Sequence, residues 1–89
     1  MQEVTLIIRN KVGLHARPAA LFVQTAKRFK SKVLATKDGR EANAKSILSI
    51  LALGASQGAV VTIRAEGEDE TEAVEALKQL VDDNFGEKE

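Results

Sequence analysis

The one histidine of this 89-residue chain, His15, stands in the run Gly13-Leu14-His15-Ala16-Arg17-Pro18-Ala19-Ala20. Pro18 suits a first helical turn, where its missing N–H removes no hydrogen bond, and the alanines beyond it are the strongest helix formers. The run therefore predicts a helix with His15 at its mouth, beside backbone N–H groups of Ala16 and Arg17 that have no helical partner. Those donors and the positive end of the helix dipole favour an anion at that spot. Arg17 opposes the dipole by roughly 0.3–1 kcal/mol, a penalty that a visiting negative group reverses. A ring nitrogen of His15 is a nucleophile near physiological pH. Once phosphorylated, the ring would carry about two negative charges, which backbone donors and a guanidinium can hold through charge-assisted hydrogen bonds. A loose phosphoryl transition state asks chiefly for in-line positioning and charge compensation, so one nucleophile in a positive cradle is sufficient.

Other chemistries lack their residues. There is no cysteine and no second histidine, which removes disulfides, thiolate or histidine-cluster metal sites, and any Ser-His or Cys-His triad beyond the one imidazole. A Gly-rich phosphate loop with Lys and Ser is also missing, and neither metal nor cofactor is expected. Net charge is zero, yet residues 1–45 hold ten Lys or Arg against three acids and residues 46–89 hold three against ten. Uneven placement along helices and strands is one explanation. An electropositive region around His15 that attracts phosphate or acidic partners is the other. Nucleic acid fits less well, because Phe22, Phe29 and Phe85 are the only aromatic side chains.

Positioning His15 falls to a short series of elements. Val4 to Arg9 is β-branched and partly alternating, a first strand with Val4, Leu6 and Ile8 on one side. From Ala16 to about Phe29, Ala19, Phe22, Val23 and Ala26 recur at helical spacing. Lys32 to Thr36 and the residues after Asp38-Gly39 read as two strands joined by a hairpin. Ser46 and Gly54 bracket a two-turn helix, and Ala59 to Ala65 reads as a fourth strand with Val61, Ile63 and Ala65 facing inward. Asp69, with Glu72 three residues on, predicts a capped last helix whose apolar stripe runs through Val74, Leu77, Leu80 or Val81, and Phe85. Gly86 to Glu89 is expected to fray. The order strand-helix-strand-strand-helix-strand-helix suggests a single α+β domain over residues 1–89, one sheet covered on one side. Without a signal segment or a long apolar run, a cytoplasmic protein that does not enter membranes is expected.

Four segments together, Gly13–Ala20, Asn43–Ile47, Leu53–Gly58 and the Glu66–Glu70 stretch before the last helix, make the chain resemble the HPr family, the histidine phosphocarriers of the bacterial phosphoenolpyruvate-dependent sugar phosphotransferase system. The resemblance runs essentially end to end. It implies an open-faced β-sandwich with antiparallel strand order 1-4-2-3 and three helices on one face. It also implies that His15 accepts a phosphoryl group on Nδ1 from phosphorylated Enzyme I and passes it to sugar-specific IIA domains, with Arg17 holding the phosphate. Such a protein is a stoichiometric intermediate between enzymes, and a transient carrier works best as a monomer. Val12, Ala20 and Gln24 depart from residues common in the family, which bears on partner preference.

Ser46 has a structural and a regulatory reading. A plain N-cap explains it, at about 1 kcal/mol. The resemblance adds phosphorylation by an HPr kinase/phosphorylase and control of carbon catabolism through a transcription factor, and a phosphate at a helix N-terminus is readily accommodated. In the helix that follows, the apolar residues are too many for one buried face, so at least one is exposed. The resemblance gives Ile47, Leu48 and Leu51 a docking role, ringed by Lys27 and Lys45. Two competing functions remain at this level: a purely regulatory interaction module, and a small ferredoxin-like nucleic-acid binder.

Overall fold

A computed structural model describes residues 1–86. Four strands, β1 (Gln2–Ile7), β2 (Lys32–Lys37), β3 (Arg40–Asn43) and β4 (Val60–Glu66), and three helices, α1 (Ala16–Lys27), α2 (Ile47–Leu53) and α3 (Glu70–Asp82), follow in the order β1-α1-β2-β3-α2-β4-α3. All pairings are antiparallel, in the order β1-β4-β2-β3, so this is the open-faced α+β sandwich the resemblance implies. Alternation along the strands sends Leu6, Val33, Ala35, Ala42, Val61, Ile63 and Ala65 inward. Phe22 and Ala26 of α1, Ile50 and Leu53 of α2, and Val74, Leu77 and Val81 of α3 close over them in one core. The opposite face of the sheet is open and carries cross-strand pairs such as Glu3 with Arg64 (3.0 Å) and Thr5 with Thr62 (3.0 Å).

Local chemistry explains most boundaries. Asp38 and Gly39 both take left-handed backbone angles (φ 50° and 79°), as the tight β2–β3 hairpin requires. Ser46 Oγ accepts from Ser49 N–H (3.3 Å) at the start of α2, and Gly54 ends it at φ 69°. The first helix stops at Lys27 rather than near Phe29, because Arg28 and Phe29 donate to Thr25 and Ala26 carbonyls and tighten the last turn.

Two expectations need correction at α3. The Asp69 carboxylate does not cap its own helix: it accepts from Lys30 N–H (2.9 Å), Ser31 N–H (2.9 Å) and the Ser31 hydroxyl. Glu70, not Glu72, reaches back to a backbone donor, Gly67 N–H (3.2 Å). Phe85 is buried as expected, but it is not on the helical stripe. The helix ends at Asp82, and left-handed angles at Asn84 and Phe85 (φ 53° and 55°) fold a short 3₁₀ turn, Asn84–Gly86, back onto the core. Gly86 belongs to that turn, and the rest of the segment expected to fray lies outside the described residues.

Candidate functional site

The extended backbone of His15 (φ −98°, ψ −168°) makes it the N-cap of α1, and its carbonyl accepts the first helical bond from Ala19 N–H (2.7 Å). Pro18 brings no donor, and the N–H groups of Ala16 and Arg17 lie ahead of the ladder without a helical partner. The exposed imidazole makes no capping bond, and the first turn contains no acid. Arg17 is exposed and makes no ion pair among the described residues. An exposed nucleophile, two open backbone donors and a free guanidinium therefore share one helix end. That arrangement can seat an anion with three oxygens next to a ring nitrogen.

The segment ahead of this mouth is tied down firmly. Asn10, fully buried, donates from Nδ2 to Gly13 O (2.9 Å), while Gly13 N–H donates to Asn10 O (3.1 Å). Leu14 is buried, and its N–H donates to Ala55 O (2.7 Å), just beyond the glycine that ends α2. At the other end of the helix pair, Lys45 Nζ donates to Phe29 O (2.7 Å), just beyond α1. These two links make α1 and α2 antiparallel neighbours.

The predicted residues accordingly fall into two groups. His15, Ala16 and Arg17 lie where α1 begins and α2 has ended, whereas Ser46, Lys45 and Lys27 lie where α2 begins and α1 ends. Seven residues of α2, about 10 Å of helix, separate the groups. Leu48 is 76% exposed between them, and Ile47 and Leu51 are partly exposed beside it, while Ile50 and Leu53 take the buried face. Lys27 is exposed in the last turn of α1 and makes no ion pair among the described residues, whereas the Lys45 ammonium is engaged by the Phe29 carbonyl. Sequence reasoning missed that engagement, and it missed the contact of Gly13 with the segment after α2. The repeated glycines of Leu53–Gly58 were the available signal.

The largest resolved pKa shift lies elsewhere, at the mouth of α3. The Ser31 hydroxyl and then the Lys30 N–H hold the Asp69 carboxyl at about 2, below its ordinary 3.8. An open groove of about 360 Å³ between β3 and α2, lined by Arg40, Glu41, Ala42, Ser49, Ala52 and Leu53, is also separate from His15. Among the described residues, no three His, Cys, Asp or Glu side chains gather as a metal site, and no helix is long and apolar enough to cross a membrane.

Comparison with known proteins assigns this architecture to a class. Residues 2–83 match the family described as the PTS HPr component phosphorylation site, where PTS is the phosphotransferase system. The phosphocarrier protein HPr of Xylella fastidiosa is 48% identical over 98% of both chains. A crystal structure of HPr from Thermoanaerobacter tengcongensis is 57% identical, superposes with a TM-score of 0.98 and covers 100% of both chains. The solution structure of Crh, described as the Bacillus subtilis catabolite repression HPr, is 51% identical with a TM-score of 0.65, covering 90% of this chain and 95% of that one. The class is that of the phosphotransferase-system phosphocarriers. The chain belongs to the HPr family.

Proposed function

We propose that this protein, as one domain over residues 1–89, takes a phosphoryl group on His15 from phosphorylated Enzyme I and delivers it to sugar-specific IIA domains. The observation that carries the proposal is the exposed His15 imidazole at the unsatisfied, acid-free N-terminus of α1, with Arg17 beside it. The Nδ1 atom of neutral His15 attacks phosphorus, a new P–N bond forms, and the P–N bond to the donor imidazole breaks. The donor ring, protonated on its other nitrogen before transfer, keeps that electron pair and leaves as neutral imidazole, while His15 keeps the proton on Nε2 and becomes the protonated phosphoimidazole. Ala16 and Arg17 N–H and the Arg17 guanidinium receive the phosphate oxygens. Onward transfer repeats the exchange with His15 as donor. The protein acts as a cytoplasmic monomer between enzymes, without cofactor, metal, nucleic acid or membrane insertion.

Incubation with phosphoenolpyruvate and Enzyme I should add one acid-labile phosphoryl group, and His15→Ala should abolish it. Undiminished labelling of the alanine variant would reject the assignment. Partner proteins dock on Ile47, Leu48 and Leu51, which an exposed apolar surface beside the mouth supports, with Lys27 and Lys45 at its basic margin.

A second function is supported by Ser46 and by the likeness to Crh. Phosphorylation of Ser46 by an HPr kinase/phosphorylase would place a dianion at the N-terminus of α2, at the edge of the docking surface, and so redirect that surface to a catabolite-control transcription factor. Incubation with such a kinase and ATP tests it, and Ser46→Ala should remove the phosphoserine signal.

A further inference from the structure

The segment Gly54–Gly58 carries none of the groups assigned to phosphoryl transfer, yet it lies along the whole approach to His15. Gly58 N–H donates to Ile8 O (2.7 Å), the Gln57 side chain to Arg9 O (3.1 Å), and Leu14 N–H to Ala55 O (2.7 Å). At Gly13 the two stretches leave no room for a side chain. A Cβ on Gly13 would sit 2.4 Å from Ala55 O and 2.6 Å from Ser56 Cα, both backbone atoms that cannot swing aside. Gly13 also holds φ +64°, a conformation that L side chains resist. Gly39 has a similar angle, φ +79°, with nothing within 4 Å of the corresponding position. The hairpin glycine thus answers to backbone angle alone, whereas Gly13 also sets a distance.

We propose that the Gly54–Gly58 turn is the positioning element of the phosphoryl-accepting site, and that Gly13 is the positioning residue through which it acts. The proposal rests on the carrier function proposed above. His15 follows Gly13 by two residues, with the buried Leu14 between them fixed to the same turn. Its ring stands outside the helical ladder, so the angle at which residues 13 and 14 arrive decides whether it faces the Ala16 and Arg17 amides. In-line transfer tolerates little error, and a misplacement of about 1 Å can cost about a hundredfold in rate. Because the turn begins where α2 ends, it also fixes the docking surface and the nucleophile to one rigid piece.

Gly13→Ala and Gly39→Ala test this as a pair. The rate of His15 phosphorylation is followed by ³¹P NMR with two donors, phosphoramidate, which needs no docking, and Enzyme I with phosphoenolpyruvate, at a temperature where circular dichroism shows each variant folded. Ring signals of His15 and amide signals of Ala16 and Arg17 are recorded in the unphosphorylated proteins. Both variants should melt earlier, but only Gly13→Ala should slow acceptance, by about ten- to a hundredfold with either donor, and only it should move those signals. A folded Gly13→Ala variant with the parent rate, or equal slowing in Gly39→Ala, overturns the proposal. If the parent protein accepts no phosphoryl group from either donor, the carrier function fails. The NMR signals still decide the positioning role, and unmoved signals in Gly13→Ala overturn it. Should Gly13→Ala not fold, Ala55→Gly keeps the backbone bonds but loosens the turn. It should slow acceptance about threefold or more, and an unchanged rate overturns the proposal.

Discussion

The first and last helices start in opposite ways. At α3, acids occupy the first turn, and the N-cap carboxylate of Asp69 is spent on two backbone amides and a hydroxyl of the α1–β2 connection. At α1, no acid is present, the N-cap imidazole caps nothing, and the first charged side chain is a cation. Both helices are about equally long and both pack on the same sheet, so neither length nor burial explains the contrast. One mouth is lined by resident carboxylates, which suit the helix dipole and tie the helix to the α1–β2 connection. The other holds no resident negative charge, which leaves its field open to a visiting anion.

The most severe way to probe the contrast is His15→Ala. Phosphoryl uptake from Enzyme I should vanish, while the unfolding free energy changes by no more than about 0.5 kcal/mol, because the ring is exposed. A large loss of stability would assign the imidazole to the fold instead. Arg17→Ala should slow uptake by about ten- to a hundredfold, the worth of a charge-assisted hydrogen bond to phosphate, with circular dichroism unchanged. Asp69→Asn should act the other way, leaving phosphoryl uptake near its parent rate and altering stability. Because the folded carboxyl titrates at about 2 and the ordinary one at 3.8, its contribution is complete above about pH 4 and is lost as pH falls toward 2. Unfolding measured across that window should therefore depend less on pH in the variant than in the parent. The smallest effect is expected at the third mouth, where Ser46→Ala removes a long 3.3 Å cap and should cost between about 0.5 and 1 kcal/mol in denaturant titration.

Much of this contrast was legible in the residues because its causes are local. Pro18 and the alanines mark the start of α1, and alternation along residues 60–66 marks β4 and its inward face. The excess of apolar side chains in α2 foretold exposure, and the structure leaves Leu48 outside while Ile50 and Leu53 go in. What stayed hidden depends on partners distant in the chain. Asp69 followed by Glu72 has the pattern of a local capping box, but the Lys30 and Ser31 amides, 39 and 38 residues earlier, compete for the carboxylate and win. Phe85 has helical spacing from Val81, yet two left-handed residues bring it to the core by another route. The strand order follows from alternation no better than from chance and came from the family resemblance. Gly13 stands in the motif in plain view, but its crowding against Ala55 and Ser56 exists only once the chain has folded.

The strand order has a consequence for how the molecule is born. Residues 2–7 of β1 pair with residues 60–65 of β4, so the first strand to leave the ribosome must wait for most of the chain before it finds its mate. Contacts so far apart in sequence slow folding, and in the interval an unmated strand edge is available to neighbours. Glu3 tempers that hazard during the wait. Once Arg64 is made, the same carboxylate becomes half of the ion pair across the finished β1–β4 seam.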